Sequence, residues 1–132
     1  MTNEDQLARS ESAAASTSND EQLALLDVLD SMKRTKRNRI LVCLHATAAR
    51  NFLQQFVGMV KSEGLPYEVL NETTLEVRAN NQWQRVYFAS AFQHPDHFAG
   101  RVAEVVAMPG IDGAVHAWPW RLFAEGQNKE FA

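Results

Sequence analysis

The run Ile40-Leu41-Val42-Cys43-Leu44 constrains this chain more than any other five residues. It is short and nearly continuously apolar, bounded by Arg39 and His45. A run of that kind reads as a strand buried on both faces, the centre of a sheet with cover above and below. Immediately downstream the periodicity changes. Thr47 can cap a helix in which Phe52, Leu53, Phe56, Val57 and Val60 recur three or four apart, Gly64 stands at the usual C′ position, and Pro66 prevents continuation. Tyr67-Glu68-Val69-Leu70 reads as a second strand. Strand, helix and strand in this order predict a right-handed parallel βαβ unit.

The next segments predict a hairpin. Thr74 to Arg78 alternates apolar and polar residues, Asn80-Asn81 suits the positive φ of a tight turn, and Trp83 with Val86 to Ala89 forms the returning strand. Pro95 opens a short helix through Asp96, His97, Phe98 and Ala99 that Gly100 stops. Val102 to Met108 is another apolar run and a candidate buried strand. Pro109-Gly110 and Asp112-Gly113 are turn signals. Val115 to Phe123 holds Trp118-Pro119-Trp120 and reads as an edge strand or an irregular packed segment, because Pro119 argues against a central strand. The expected fold class is α/β: a small mixed sheet with a βαβ unit and a hairpin.

Upstream, Ser10 to Ser18 contains no large apolar residue and cannot offset its ordering entropy, so residues 1–19 are expected to be a disordered tail. A helix can start at Asn19 or Asp20, with Leu23, Leu26, Leu29 and Met32 at helical spacing and Leu25 and Val28 widening the stripe. Residues 20–39 therefore read as an amphipathic helix and a basic linker, 40–124 as the α/β domain, and 125–132 as a flexible, solvated C-terminus.

The order of segments from Arg85-Val86-Tyr87-Phe88-Ala89-Ser90-Ala91, through Pro95 to Arg101, to Val102-Ala103-Glu104-Val105-Val106-Ala107-Met108 resembles the middle of the ATPase domain of phage large terminase subunits and related helicase-type P-loop proteins. The likeness spans about residues 39–110. It implies a degenerate P-loop-like fold in a chain that is phage-encoded. It does not imply the ATPase. The connection His45-Ala46-Thr47-Ala48-Ala49-Arg50 has no glycine and no lysine, and Ala107-Met108-Pro109 stands where paired acids are expected. No cofactor is expected.

Charge is distributed unevenly. Residues 1–32 carry seven acids against one base, and five of the twelve bases beyond them are Lys33, Arg34, Lys36, Arg37 and Arg39. This segment can bind phosphate backbones without sequence preference, and Trp83, Trp118 and Trp120 can offer stacking faces. The expected function is thus a non-catalytic accessory protein that binds nucleic acid or a protein partner. The protein-interaction alternative uses Leu23, Leu26 and Leu29 to dock on a partner or a second copy. An enzyme alternative is a small metal-dependent hydrolase or nuclease built on His94, Asp96 and His97, with His116 as a further ligand, although their spacing matches no standard metal set. Cys43 and His45 share a strand face, but the apolar run makes Cys43 a core thiol. A single cysteine excludes an internal disulfide and fits a reducing, cytoplasmic setting (the host cytoplasm for a phage protein). No stretch approaches the roughly 18 apolar residues of a membrane span, so no membrane partner is expected.

Overall fold

Alternation along the first strand decides the architecture. The structure is a computed structural model describing residues 20–71, 75–80, 84–109 and 120–131. Strand β1 (Asn38–Cys43) directs Arg39, Leu41 and Cys43 to one face and Ile40 and Val42 to the other, and all five are buried. The chain then forms α2 (Ala46–Ser62), β2 (Tyr67–Asn71), β3 (Glu76–Ala79), β4 (Gln84–Ser90), a 3-10 turn (Pro95–Phe98) and β5 (Ala103–Ala107). The sheet order is β2-β3-β4-β1-β5. β1 runs parallel to both neighbours, with Leu41 level with Phe88 on β4 and Val106 on β5. β2, β3 and β4 form an antiparallel meander.

The mixed α/β sheet is as expected, but the pairing within it differs. The strand after α2 is not the partner of β1: β2 lies three places away, and the parallel neighbours are β4 and β5. After β1, β4 carries the longest buried run, and these two take adjacent interior places in the sheet while the mostly exposed β2 stands at an edge.

One face is covered by helix α1, described over 20–34, and by α2. Leu25, Val28, Leu29 and Met32 of α1 pack with Phe52, Phe56 and Val60 of α2 over Leu41, Val86 and Phe88. α1 is thus part of the same core as the α/β segment, and Leu29, expected to dock a partner, is fully buried. Glu63 caps α2 and Gly64 takes a φ of 71°, as the sequence predicts. The N-cap is His45 rather than Thr47: its Nδ1 accepts the Ala48 N–H at 3.1 Å, so the helix begins one residue later.

The other face is aromatic. Tyr87, Phe98, Trp120 and Phe123 stack in sequence at centroid distances of 5.7, 6.1 and 5.7 Å, and the Trp120 indole donates to the Gln93 carbonyl. Trp120 opens α3 (Trp120–Asn128), which a 3-10 turn (Lys129–Phe131) follows. The expected flexible terminus is therefore helical up to Asn128 and does structural work. The Asn128 amide accepts from the Val105 N–H at 2.8 Å and donates to the Val105 carbonyl at 3.2 Å. Gln127 accepts from the Ala103 N–H and donates to the Arg101 carbonyl. Amide side chains carry one acceptor and two donors, so they stand in for a neighbouring strand along β5. Asn80, at the predicted turn, has a φ of 74°. The tail at 1–19, Asn81, Trp83, Asp112-Gly113, His116 and Trp118 lie outside the described residues.

In denaturant unfolding, Leu29→Ala is expected to cost about 2–5 kcal/mol, while Leu23→Ala stays within about 0.5 kcal/mol. Asn128→Ala is expected to cost about 1–3 kcal/mol and to speed hydrogen exchange at the Val105 amide.

Candidate functional site

Two sets of chemically active side chains sit at opposite ends of the parallel strands. The basic segment leads into β1 at its N-terminal end, beside the start of β5. His94 and His97 follow the C-terminal end of β4. The sequence features do not converge on one site.

At the C-terminal end, β1 continues across one face into α2 while β4 crosses the other toward β5. Adjacent strands whose connections diverge in this way form the crevice where ligands bind in open α/β sheets. Here the crevice is tied shut: Ala91 N–H donates to the Cys43 carbonyl at 2.7 Å and Met108 N–H to the Val42 carbonyl at 2.9 Å. Its polar groups serve the local backbone. Ser90 Oγ accepts the Phe92 N–H, and His94 Nδ1 accepts the Asp96 N–H at 3.2 Å, with an Asp96 carboxylate oxygen 3.3 Å away. His97 is exposed at the end of its 3-10 turn. Among the described residues no group of three or more His, Cys, Asp or Glu gathers as a metal site. Cys43 is buried, and burial pushes its thiol up to about 12.

The basic segment is largely committed to the fold. Arg39, expected to contact phosphate, is 1% exposed. Its guanidinium donates to Gln84 Oε1 at 2.6 Å, Ser31 Oγ at 2.7 Å, Thr35 Oγ1 at 2.9 Å and the Arg37 carbonyl at 2.7 Å. Burial lowers its pKa to about 10, with Glu104 opposing and Arg37 adding to the shift, so it stays protonated at neutral pH. Arg37 pairs with Glu104 at 2.6 Å and lies 4.8 Å from the Phe131 ring centroid. Lys33 pairs with Glu63 at 2.6 Å. Arg34 and Lys36 are exposed, and their side chains make no ion pair or hydrogen bond with a described residue.

No protein-family model, curated protein or solved structure matches this chain. The surface has to be read on its own chemistry. Of the three leucines assigned to partner binding, Leu29 is in the core while Leu23 and Leu26 are 60% and 38% exposed. Among the described residues no helix is long and apolar enough to cross a membrane.

Two charged residues that shape these surfaces were not singled out in the sequence. Glu104 neutralises Arg37, and its signal was a lone acid inside the apolar run 102–108. Arg50 lines a groove between α2 and β2 with Leu53, Gln54, Val69 and Leu75. No local pattern announces that groove, because it arises at the margin of the face on which α2 packs.

Arg39→Ala is expected to destabilise the fold by about 3–5 kcal/mol, since it orphans several buried acceptors. Arg34→Ala and Lys36→Ala should each stay within about 0.5 kcal/mol. A chromogenic disulfide reagent at pH 8 should leave Cys43 unmodified in the native chain and label it once denaturant is added. Rapid native labelling would show a thiol reachable from solvent.

Proposed function

We propose that this chain is a non-catalytic interaction module whose partner is a protein held by the outward face of α1. The observation that carries the reading is the exposure of Leu23 and Leu26, which lie one helical turn apart. The same helix already fills the core with Leu25, Val28, Leu29 and Met32. Burying a leucine side chain fully is worth about 1.5–3 kcal/mol, so a partner covering both gains a substantial anchor. Asp27 and Asp30 are exposed beside them and give that face an acidic margin.

A second reading, nucleic-acid binding, is supported by the open side chains of Arg34 and Lys36. It is weakened by the commitment of Lys33, Arg37 and Arg39 to partners within the fold. With about 0.9 ion released per phosphate contact, two cations give a salt slope near −2 where five would give about −4.5. The likeness to terminase-type P-loop proteins is kept as a proposal about ancestry of the fold. What supports it is the central β1 with its following helix; the two-residue connection Leu44-His45 leaves no room for a phosphate loop.

The readings separate cleanly. A photo-crosslinking residue at position 26, introduced in the producing cells, is expected to trap a discrete protein adduct, and the same residue at position 61 on α2 is not. Adding Leu23→Asp should abolish the adduct without changing thermal unfolding. Labelled single- and double-stranded oligonucleotides at low salt should not bind. Binding with a log–log salt slope near −2, lost in the Arg34→Ala, Lys36→Ala double variant, would establish the nucleic-acid reading instead.

A further inference from the structure

The two edges of the sheet are treated differently. β5 is plugged by the side-chain amides of Gln127 and Asn128. β2 is the terminal strand at the other end, and no described strand pairs with its outer side. The direction of its backbone follows from the register. Asn80 N–H donates to the Pro66 carbonyl, and Tyr67 is level with Ala79, so the 66/80 and 68/78 pairs are the hydrogen-bonded ones. Hydrogen-bonded and open pairs alternate in an antiparallel ladder. Tyr67 and Val69 therefore direct their N–H and C=O groups away from β3, toward the open edge.

The side chains of the same two residues lie on the α2 face, since i and i+2 share a side. They are 37% and 36% exposed, at the margin of the face on which α2 packs. Beside Val69 runs a groove of about 420 Å³ lined by Leu53, Leu75, Gln54 and Arg50. Leu53, Val69 and Leu75 give it apolar walls, and among the described residues Arg50 is its one charged lining residue; the Arg50 side chain is exposed and makes no ion pair with a described residue. Glu68, the acid on this strand, points to the opposite face, where it pairs with Arg78 at 2.7 Å.

We infer that this edge and groove take an extended acidic segment of another protein, which joins the sheet beyond β2. Its backbone pairs with the outward groups of Tyr67 and Val69. One apolar side chain enters the groove over Leu53 and Leu75, and a carboxylate two residues along the same face, about 7 Å away, reaches Arg50. The surface lies on different elements from the outer face of α1, so it stands or falls separately from the function proposed above.

The probe is a fluorescein-labelled hexapeptide with glutamate, valine and glutamate at its odd positions and threonine at its even ones. It is titrated into the full chain while the amide resonances are followed. Saturable binding is expected, with the largest shifts at Tyr67 and Val69. Arg50→Glu should weaken it about tenfold or more, and the analogue with lysine in place of glutamate should not bind. Val69→Pro removes an outward N–H but no ladder bond, so it should abolish binding while the sheet persists. Three results overturn the inference. One is the absence of shifts at Tyr67 and Val69 at millimolar peptide. Another is a concentration-dependent dimer dispersed by Val69→Pro, which assigns the edge to a second copy. The last is protection of the Tyr67 and Val69 amides that disappears when residues 1–19 are removed, which assigns it to the chain's own N-terminal segment.

Discussion

A charge held in an interior has to be surrounded by acceptors, and the placement of Arg39 dictates much of what lies around it. Its guanidinium reaches Ser31 and Thr35 at the end of α1, the Arg37 carbonyl before β1, and Gln84 at the start of β4. Gln84 and Asn80 in turn donate to the Met32 carbonyl. The Met32 carbonyl, in the last turn of α1, is thus satisfied by side chains from the sheet and its turn, and a cation stands at the negative end of the helix. Two stretches distant in sequence, 31–39 and 80–84, are fixed at one point. Stability alone does not require this, since buried ionic groups are often no better than apolar ones of the same shape. What the network does require is one angle between α1 and the strands, because its donors and acceptors come from both.

Above that junction the core is divided by β1. Aliphatic and phenylalanine side chains fill the α1 and α2 side, and a row of rings fills the other, ending in Phe123. α1 shares the first core, so the basic segment between α1 and β1 is a tight connection with both ends anchored. That explains why three of its five cations turn to partners within the molecule. A flexible linker would have left all five in water.

The parts of the fold legible in the sequence are those encoded locally. Two-sided burial leaves a continuous apolar run at Ile40–Cys43, while Leu44, expected to belong to it, lies past the strand end and is 42% exposed; α2 carries its period, with Gly64 and Pro66 just beyond it. The β3–β4 hairpin follows from alternation and from Asn80, whereas the antiparallel pairing of β2 with β3 replaces the expected parallel one with β1. Long-range choices left no such trace. The neighbours of β1 depend on strands more than forty residues away. Arg39 looks like its four neighbours until Gln84, forty-five residues on, is folded against it. α3 contains an internal Gly126, and beside Trp120 and Phe123 it contributes two amides, Gln127 and Asn128, that no hydrophobic period reveals. The same holds for Leu23, Leu26 and Leu29: the helix was readable, but its orientation was not, and orientation decides which leucine is buried.

The plugging of β5 by Gln127 and Asn128 also governs how many copies can ever join edge to edge. Strand pairing becomes a propagating reaction only when each addition regenerates an acceptor, and that needs two competent ends per molecule. With one end terminated by side-chain amides, growth through the sheet halts after a single event. A solution of this chain in which β2 edges meet can accumulate pairs, but it has no route to a fibril without first peeling α3 from β5.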